Sequence, residues 1–180
     1  MTPTDLHFET LHTSQLSSDF LLQLRDFLSL VYEEDFADED WDHALGGVHI
    51  LVRHENQLVG HAAVVQRQLY ISEKAFRVGY LEAMAVHPQF QRQGIGRQMM
   101  AQVNHLIQRA YDFGALGASD EGFGLYLQTG WQVWPGELGV LSFQGIERTP
   151  EEEGGVMVYP AFPEDPSHML ICDFRSGDVW

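Results

Sequence analysis

Two long segments of the chain place apolar residues at helical spacing. The first segment predicts an amphipathic helix that Ser17 or Ser18 can cap. Its apolar positions are Phe20, Leu24, Phe27, Leu28 and Val31. The second segment predicts a helix from Ile95 to about Phe113. Its apolar positions are Ile95, Met99, Val103, Leu106 and Ala110. Each helix therefore has one face suited to packing against a core.

Shorter stretches have the alternation and turn residues that are typical of strands. A strand is predicted over residues 5–11, and three strands over 48–53, 58–71 and 76–86 form a meander between the two helices. After the second helix we expect a strand at 115–118, a short helix at 121–128 and a strand at 131–134. The rest is irregular β structure with strands at 156–159 and 169–173. This order predicts an α/β fold with a mixed sheet.

Length and composition are those of one globular domain over residues 1–180. Hydrophobic residues make up 44% of the chain and charged residues 20%, which excludes a disordered chain. The start, Met1–Asp5, has no secretion-signal pattern, and no apolar run approaches the roughly 20 residues of a membrane span. The lone Cys172 cannot form an internal disulfide. We therefore expect a cytoplasmic protein.

The charge balance narrows the possible partners. The chain has 26 acidic and 10 basic residues and a formal net charge of −16, which repels nucleic acid and anionic membranes and attracts cations. A solvated acidic surface that aids solubility is the alternative. The nine histidines show no metal-binding spacing, so no metal site is expected. We expect His49 and His61 to be structural, and Arg67 to serve packing or a partner chain.

A glycine-rich turn stands before the second helix, with the sequence Gln91-Arg92-Gln93-Gly94-Ile95-Gly96-Arg97. Gly94 and Gly96 allow the backbone to approach a phosphate, and the N–H groups of a first helical turn point at such an anion. The two arginines can add charge-assisted hydrogen bonds. A plain helix start is the alternative. A dinucleotide-binding fingerprint is excluded because Met99 replaces its third glycine, and a Walker loop because no lysine follows.

Together with Glu82-Ala83-Met84-Ala85-Val86-His87-Pro88, this turn resembles the strand-and-turn signature of the GNAT acetyltransferases. The resemblance implies the GNAT acyltransferase fold, a mixed and mostly antiparallel sheet flanked by helices. It also implies acetyl-CoA as the co-substrate, with the pyrophosphate held by residues 91–97. The pantetheine arm would pair with the backbone of Met84, Ala85 and Val86.

Glu82 and Tyr126 are the candidate acid–base pair. Strand alternation puts Glu82 on one face with Val78, Tyr80, Met84 and Val86, where burial would raise its pKa and suit it to act as a general base. A structural pairing with an arginine is the alternative. By resemblance, the segment Leu125–Trp131 carries the GNAT tyrosine that protonates the departing thiolate. Its pKa of about 10 suits that role, and packing of a helix face is the alternative for this tyrosine.

Acidic and aromatic residues are interleaved in three distant parts of the chain. The acidic groups are residues 33–40, the triplet Glu151-Glu152-Glu153, and Asp178 with the terminal carboxylate of Trp180. The aromatic residues beside them are Phe36, Trp41 and Trp180. Carboxylates bind ammonium groups, and aromatic faces accept cations and sugars. The pattern favours a polyamine sugar as ligand, although each acidic run taken alone is typical of a solvated loop.

Over nearly its full length the chain resembles the aminoglycoside 2′-N-acetyltransferases. The resemblance rests on Asp35-Phe36, Asp40-Trp41, His61-Ala62-Ala63, Gly79-Tyr80-x-Glu82 and the terminal segment Cys172–Trp180. It implies acetylation of a 2′-amine, resistance to the antibiotic, and a homodimer. The residues implied at the substrate are Asp35, Phe36, Asp40, Trp41, Glu82, Ala83, Glu152, Glu153, Asp178 and Trp180. Gly117 stands where members can have a serine, so a hydroxyl contact would have to come from Ser119.

Three matters stay open at this stage. The triplet could contribute Glu151, Glu152 or Glu153, and the antibiotic could be kasugamycin or a deoxystreptamine drug. The acceptor could instead be a peptide N-terminus, a lysine or a polyamine. A non-catalytic module that binds a cationic drug is the third hypothesis.

Overall fold

The computed structural model describes residues 5–180, apart from the side chain of Glu34. The prediction that the chain has no secretion signal used residues 1–5, and residues 1–4 lie outside the described part. The helices are α1 (Ser18–Tyr32), α2 (Asp38–His43), α3 (Ile95–Ala110) and α4 (Asp120–Gln128). The strands are β1 (Leu6–His12), β2 (Val48–His54), β3 (Gln57–Ile71), β4 (Lys74–Val86), β5 (Phe113–Gly117), β6 (Gln132–Val133), β7 (Leu138–Ser142), β8 (Gly145–Arg148), β9 (Val156–Tyr159) and β10 (Leu170–Asp173).

The predicted elements are present, with two corrections. Helix α3 ends at Ala110 rather than Phe113, because Phe113 already pairs with Val78 in the parallel ladder of β4 and β5. Strands β7 and β8 were missed. They form an antiparallel hairpin in which β8 is largely exposed, so its residues lack the apolar alternation that marks a half-buried strand.

The chain divides into two compact units, and β3, β4 and α3 each contribute residues to both. Of the described residues, the first unit contains 5–65 together with Leu81–Val103. In it, β2 pairs antiparallel with β1 and with β3. Its core contains Leu24, Phe27, Leu28, Leu51 and Ala85. Helix α1 presents its apolar face to this cluster, and full burial of each large side chain contributes roughly 1.5–3 kcal/mol.

The second unit contains Gln66–Tyr80 and Asn104–Trp180. Its strands follow the order β6-β9-β5-β4-β3-β10-β7-β8. The β4–β5 and β7–β10 pairs are parallel, whereas β3–β10, β5–β9, β6–β9 and β7–β8 are antiparallel. Trp131 is buried here, stacks on Tyr159 and donates its indole N–H to Asn104 at 2.9 Å. The predicted mixed, mostly antiparallel sheet with flanking helices is confirmed.

Within residues 5–180, no helix is long and apolar enough to cross a membrane. The prediction of a single domain over residues 1–180 stays a prediction.

Candidate functional site

The glycine-rich turn has the backbone of an anion-binding concavity. Arg92 and Gly94 are left-handed, with φ of 58° and 82°, and the residue between them is not. Such alternation turns successive N–H groups toward one point. The first hydrogen bond of α3 runs from the N–H of Gln98 to the carbonyl oxygen of Gly94, at 3.2 Å. The N–H groups of the residues before Gln98 have no carbonyl partner within the helix, as at any helix start. The arginine side chains at 92 and 97 are exposed. This part of the chain can therefore hold a phosphate with backbone and side-chain donors.

Just before the turn, β4 departs from the regular alternation expected at Glu82. Ala83 is left-handed, with φ of 47°, which costs a residue with a Cβ about 1–2 kcal/mol. Val78 and Tyr80 are fully buried, but Glu82 is only half-buried. The extended backbone is interrupted directly after Glu82, so the alternation predicted for Val78, Tyr80 and Glu82 does not continue regularly to Met84 and Val86.

Side chains hydrogen-bond to three carbonyls at this end of β4. His61 Nδ1 lies 2.8 Å from the carbonyl oxygen of Ala83, the Tyr32 hydroxyl donates to Met84 at 2.7 Å, and the Gln91 amide donates to Val86 at 3.2 Å. A carbonyl oxygen has two lone pairs, so Met84 and Val86 can each accept a second bond. Both carbonyls therefore keep acceptor capacity for the backbone pairing predicted at Met84, Ala85 and Val86.

The acidic segment of the first unit is partly committed to local structure. Asp35 is exposed at the end of a 3₁₀ turn, Glu33–Asp35. Asp40 accepts the backbone N–H of Ala37 at 2.8 Å and so caps α2. An exposed carboxylate can bind a cation at little desolvation cost. Of the two predicted ligands in this segment, Asp35 is the more exposed, whereas the carboxylate of Asp40 already accepts a capping hydrogen bond.

The two aromatic residues of this segment also have partners. Phe36 stacks on Tyr32, with ring centroids 5.6 Å apart and an interplanar angle of 15°. The guanidinium of Arg25 lies 6.0 Å from the ring centroid of Trp41 and also pairs with Asp38. Both rings are half-buried. The structure thus leaves only part of each ring surface for a ligand.

Tyr126, in the second unit, is suited to donate a proton. It lies on α4 with 6% of its surface exposed, and burial raises the pKa of its hydroxyl to about 12. The hydroxyl is therefore neutral across the physiological range. At the start of the same helix, Ser119 Oγ accepts the N–H of Gly122 at 3.2 Å. Ser119 therefore caps the helix and keeps its own hydroxyl proton available for donation.

Carboxylates of the second unit line a cavity of about 450 Å³. Glu151, Glu152 and Asp178 are among its lining residues. Partial burial raises the pKa of Glu152, and the nearby charges of Asp178 and Glu151 raise it further. Glu153 instead pairs with Arg148 at 2.7 Å. Within the acidic triplet, Glu151 and Glu152 line the cavity, and Glu152 is the one whose pKa is raised by burial and by neighbouring carboxylates.

Trp180 has a structural role that its sequence position did not reveal. Its ring is only 4% exposed, and its indole N–H donates to the Thr149 hydroxyl at 2.8 Å. Its backbone N–H donates to Asp178 at 3.0 Å, and its carbonyl oxygen accepts from Arg175 at 2.8 Å. The expectation that the Trp180 ring offers an open face to a sugar is therefore wrong. A contact between the terminal carboxylate of Trp180 and the substrate stays a prediction.

Sequence reasoning assigned no role to Thr149 or Arg175. The partners of Trp180 lie 31 and 5 residues away along the chain, and no local pattern marks the longer contact. Arg67 is a packing residue in this unit: it is 5% exposed and donates twice to Asp173, at 2.8 and 2.9 Å. Among the residues described, no cluster of three or more His, Cys, Asp or Glu side chains could hold a metal ion.

Comparison with known proteins provides independent evidence. Residues 15–119 match the acetyltransferase (GNAT) family. The chain is 41% identical to an aminoglycoside 2′-N-acetyltransferase of Mycolicibacterium fortuitum, over 94% of this chain and 89% of that protein. Among solved structures it matches Escherichia coli ElaA, with a TM-score of 0.60 and 20% identity over 85% of this chain and 98% of the other. It also matches Arabidopsis thaliana Naa50 in complex with the bisubstrate analogue CoA-Ac-MVNAL, with a TM-score of 0.54 and 15% identity over 70% and 83% of the two chains.

Proposed function

The chain belongs to the acetyltransferase (GNAT) family, and on that premise we propose that it acetylates the 2′-amino group of an aminoglycoside antibiotic. It is an acetyl-CoA-dependent N-acetyltransferase, so the finer question concerns the acceptor. The observation that carries the proposal is the cavity whose lining contains four carboxylates and one arginine. The carboxylates are those of Glu147, Glu151, Glu152 and Asp178, and the arginine, Arg148, already pairs with Glu137 and Glu153. The excess of negative charge favours a polycationic ligand. The M. fortuitum relative, named for this activity, supports it.

The proposed binding of acetyl-CoA rests on the left-handed turn at Arg92 and Gly94. The backbone N–H groups of residues 93–97, with the side chains of Arg92 and Arg97, would hold the pyrophosphate. The backbone at Met84, Ala85 and Val86 would hold the pantetheine arm. Acetyl-CoA supplies the thioester carbon that the amine attacks.

Glu82 and Tyr126 would perform the proton transfers. Glu82 takes a proton from the acceptor ammonium, directly or through water, and the neutral amine then attacks the thioester carbonyl. The new C–N bond would form and the C–S bond would break, with the Tyr126 hydroxyl giving its proton to the departing thiolate. The proton that the nitrogen loses on becoming an amide would return through solvent to the Tyr126 oxygen, so that the hydroxyl is restored. Because the pKa of Tyr126 is raised to about 12, that proton is present at every working pH.

The proposed contacts to the antibiotic are mostly carboxylates. Glu152, Asp178 and the terminal carboxylate of Trp180 would bind ammonium groups, and so would Asp35 and Asp40 of the first unit. Phe36, Trp41, Ala83, Ser119 and Glu153 stay predictions as further contacts. We extend the proposal to a resistance enzyme, because removal of an ammonium charge weakens binding of such a drug to ribosomal RNA. An intracellular location and a homodimer stay predictions from the resemblance.

The test measures release of free CoA thiol with acetyl-CoA and a panel of acceptors. The panel pairs a deoxystreptamine drug that carries a 2′-amine with its 2′-hydroxyl analogue, and adds kasugamycin and a lysine peptide. We expect turnover of the 2′-amine compound and none of its hydroxyl analogue. Turnover of kasugamycin alone would narrow the acceptor to that drug. Turnover of the peptide alone, or of no acceptor in the panel, would refute the antibiotic assignment.

Two controls connect the reaction to the proposed residues and role. Glu82→Gln should lower kcat most strongly at neutral pH, because the amide cannot accept the proton. Expression of the unsubstituted enzyme in a susceptible bacterium should raise the drug concentration needed to stop growth, and expression of Glu82→Gln should not. Equal protection by both proteins would show that any resistance arises without catalysis.

A further inference from the structure

A buried chain of hydrogen bonds in the first unit ends on the backbone beside Glu82. His49 and His61 are both completely buried. His61 Nδ1 lies 2.8 Å from the carbonyl oxygen of Ala83, His61 Nε2 lies 2.9 Å from His49 Nδ1, and His49 Nε2 lies 2.7 Å from the Thr13 hydroxyl. The three contacts connect Thr13 to the residue that follows Glu82.

The direction of every bond in this chain follows from its last acceptor. A carbonyl oxygen only accepts, so His61 must carry its proton on Nδ1. If the imidazole is neutral, its Nε2 is then an acceptor, and His49 must donate to it from Nδ1. His49 Nε2 is in turn an acceptor at 2.7 Å from the Thr13 hydroxyl, whereas the alternative acceptor, the Gly47 carbonyl oxygen, is farther away at 3.2 Å. The single hydroxyl proton of Thr13 is therefore assigned to His49. The Thr13 oxygen itself accepts the backbone N–H of Gly46 at 2.9 Å.

Burial keeps both rings neutral, as this arrangement requires. Desolvation, and then the charge of neighbouring His49, lower the pKa of His61 to about 3. Desolvation, followed by the charge of His12, lowers the pKa of His49 to about 4. At neutral pH each imidazole therefore has one donor and one acceptor nitrogen. One placement of the protons gives every donor in the series of hydrogen bonds from Thr13 to Ala83 an acceptor.

The acceptor at the end of the chain has a strained conformation. Ala83 has φ of 47°, a region that residues with a Cβ rarely occupy. Left-handed backbone at a residue other than glycine persists where its surroundings fix it. Here the His61 ring holds the Ala83 carbonyl, and the Tyr32 hydroxyl holds the next one, at Met84. Side chains thus hold the peptide groups that follow Ala83 and Met84, on the C-terminal side of the left-handed residue next to Glu82.

We propose that His61, oriented by His49 and Thr13, is a positioning residue that holds the Ala83 carbonyl and thereby sets the direction of the Glu82 carboxylate. The proposal rests on the proposed function, because it takes Glu82 to be the general base. Neither histidine touches the reacting atoms. The role differs from ordinary core packing, since it requires a donor at Nδ1 rather than a ring that fills space.

The first test compares two substitutions of His61. His61→Phe keeps a ring and removes the donor, whereas His61→Asn can place an amide N–H near the position of Nδ1. We expect kcat for the acceptor found with the panel to fall about tenfold or more in His61→Phe, and clearly less in His61→Asn. The KM for acetyl-CoA should change by less than about threefold, because residues 91–97 are untouched. Equal kcat in the two variants would overturn the proposal.

A matched control separates positioning from loss of stability. Ile50→Ala removes a fully buried side chain from β2 of the same unit and should lower stability without affecting the Ala83 carbonyl. We expect its kcat at 25 °C, and the acidic limb of its pH–rate profile, to match those of the unsubstituted enzyme. In His61→Phe that limb should shift, since the base it reports has been reoriented. If His61→Phe shows neither a shift of the acidic limb nor a change in kcat, the proposal is refuted and His61 serves only in packing.

The second test uses the strain at Ala83. Glycine adopts a positive φ without steric cost, so Ala83→Gly makes the left-handed backbone less dependent on His61. We expect the loss of kcat caused by His61→Phe to be several-fold smaller in the Ala83→Gly background than in the original one. Losses of the same size in both backgrounds would show that His61 does not act through this backbone.

A third measurement needs neither substitution nor turnover. ¹⁵N NMR of imidazole nitrogens in the unsubstituted protein should show His49 and His61 as neutral tautomers that are protonated at Nδ1. A proton on Nε2 of His61 would break the chain at Ala83 and overturn the proposal even if the enzyme is active. Conversely, normal activity of Glu82→Gln would refute the assignment of the base while leaving the tautomers as predicted, so the two failures are distinguishable.

Discussion

The buried histidine pair should make the protein lose stability on mild acidification. The pKa of His49 is lowered to about 4 and that of His61 to about 3, from a value of 6.5. The folded state therefore binds fewer protons than the unfolded state between pH 6.5 and pH 4. Because stability rises with pH wherever the unfolded state binds more protons, this contribution is complete above pH 6.5 and is lost as the pH falls.

The size of the loss follows from the linkage relation. Each histidine that is protonated only in the unfolded state costs about 1.4 kcal/mol per pH unit. From pH 6.5 to pH 5 this gives roughly 2 kcal/mol for one histidine and about 4 kcal/mol for both, a large part of the 5–15 kcal/mol typical of a domain. Relief of repulsion in a chain with net charge −16 acts in the opposite direction. The measured loss should therefore be smaller than this sum.

The assay is urea unfolding followed by circular dichroism, at half-unit steps from pH 7.5 to pH 5. The unsubstituted protein should lose stability with a slope between one and two protons from pH 6 to pH 5, because relief of charge repulsion offsets part of the two-proton sum. His49→Gln should lose about one proton of that slope. His105→Gln, a change at an exposed position of α3, serves as the matched control and should leave the slope unchanged. A slope that is the same in His49→Gln and in the unsubstituted protein would refute the reasoning.

Three further predictions concern the proposed site. Tyr126→Phe should lower kcat with little effect on the KM for acetyl-CoA. Because the pKa of Tyr126 is raised to about 12, the unsubstituted enzyme should show no loss of kcat from tyrosine ionisation up to pH 10. A pH–rate profile checks this. Glu152→Gln should raise the KM for the antibiotic more than Glu153→Gln does, because Arg148 already pairs with Glu153. Steady-state kinetics of the two variants test this, and equal effects would argue against the cavity as the cation site. A glycine added after Trp180 should raise that KM while preserving stability, whereas deletion of Trp180 should also cost about 3–5 kcal/mol in urea unfolding.

The elements that the sequence predicted well are those with local causes. The helical spacing of Leu24, Phe27 and Leu28 places all three in the core of the first unit. The glycine-rich turn also follows from local chemistry, since Gly94 adopts the positive φ that its residue type favours. By contrast, the residue type at position 83 does not predict a left-handed conformation, because alanine rarely adopts a positive φ. The interruption of β4 at Ala83 depends on contacts from β3 and α1, which a reading of β4 alone does not contain.

The terminal segment shows why a residue's place in the sequence does not determine its role. Asp178 and Trp180 stand two residues apart, and both were predicted at the substrate. The carboxylate of Asp178 lines the cavity and caps the backbone N–H of Trp180, whereas the Trp180 ring is packed inside the unit and bonded to Thr149. The indole thus anchors the chain end, and the Arg175 guanidinium orients it. Two residues so close in sequence thus have different surroundings: Asp178 faces the cavity, whereas Trp180 fixes the segment that carries Asp178.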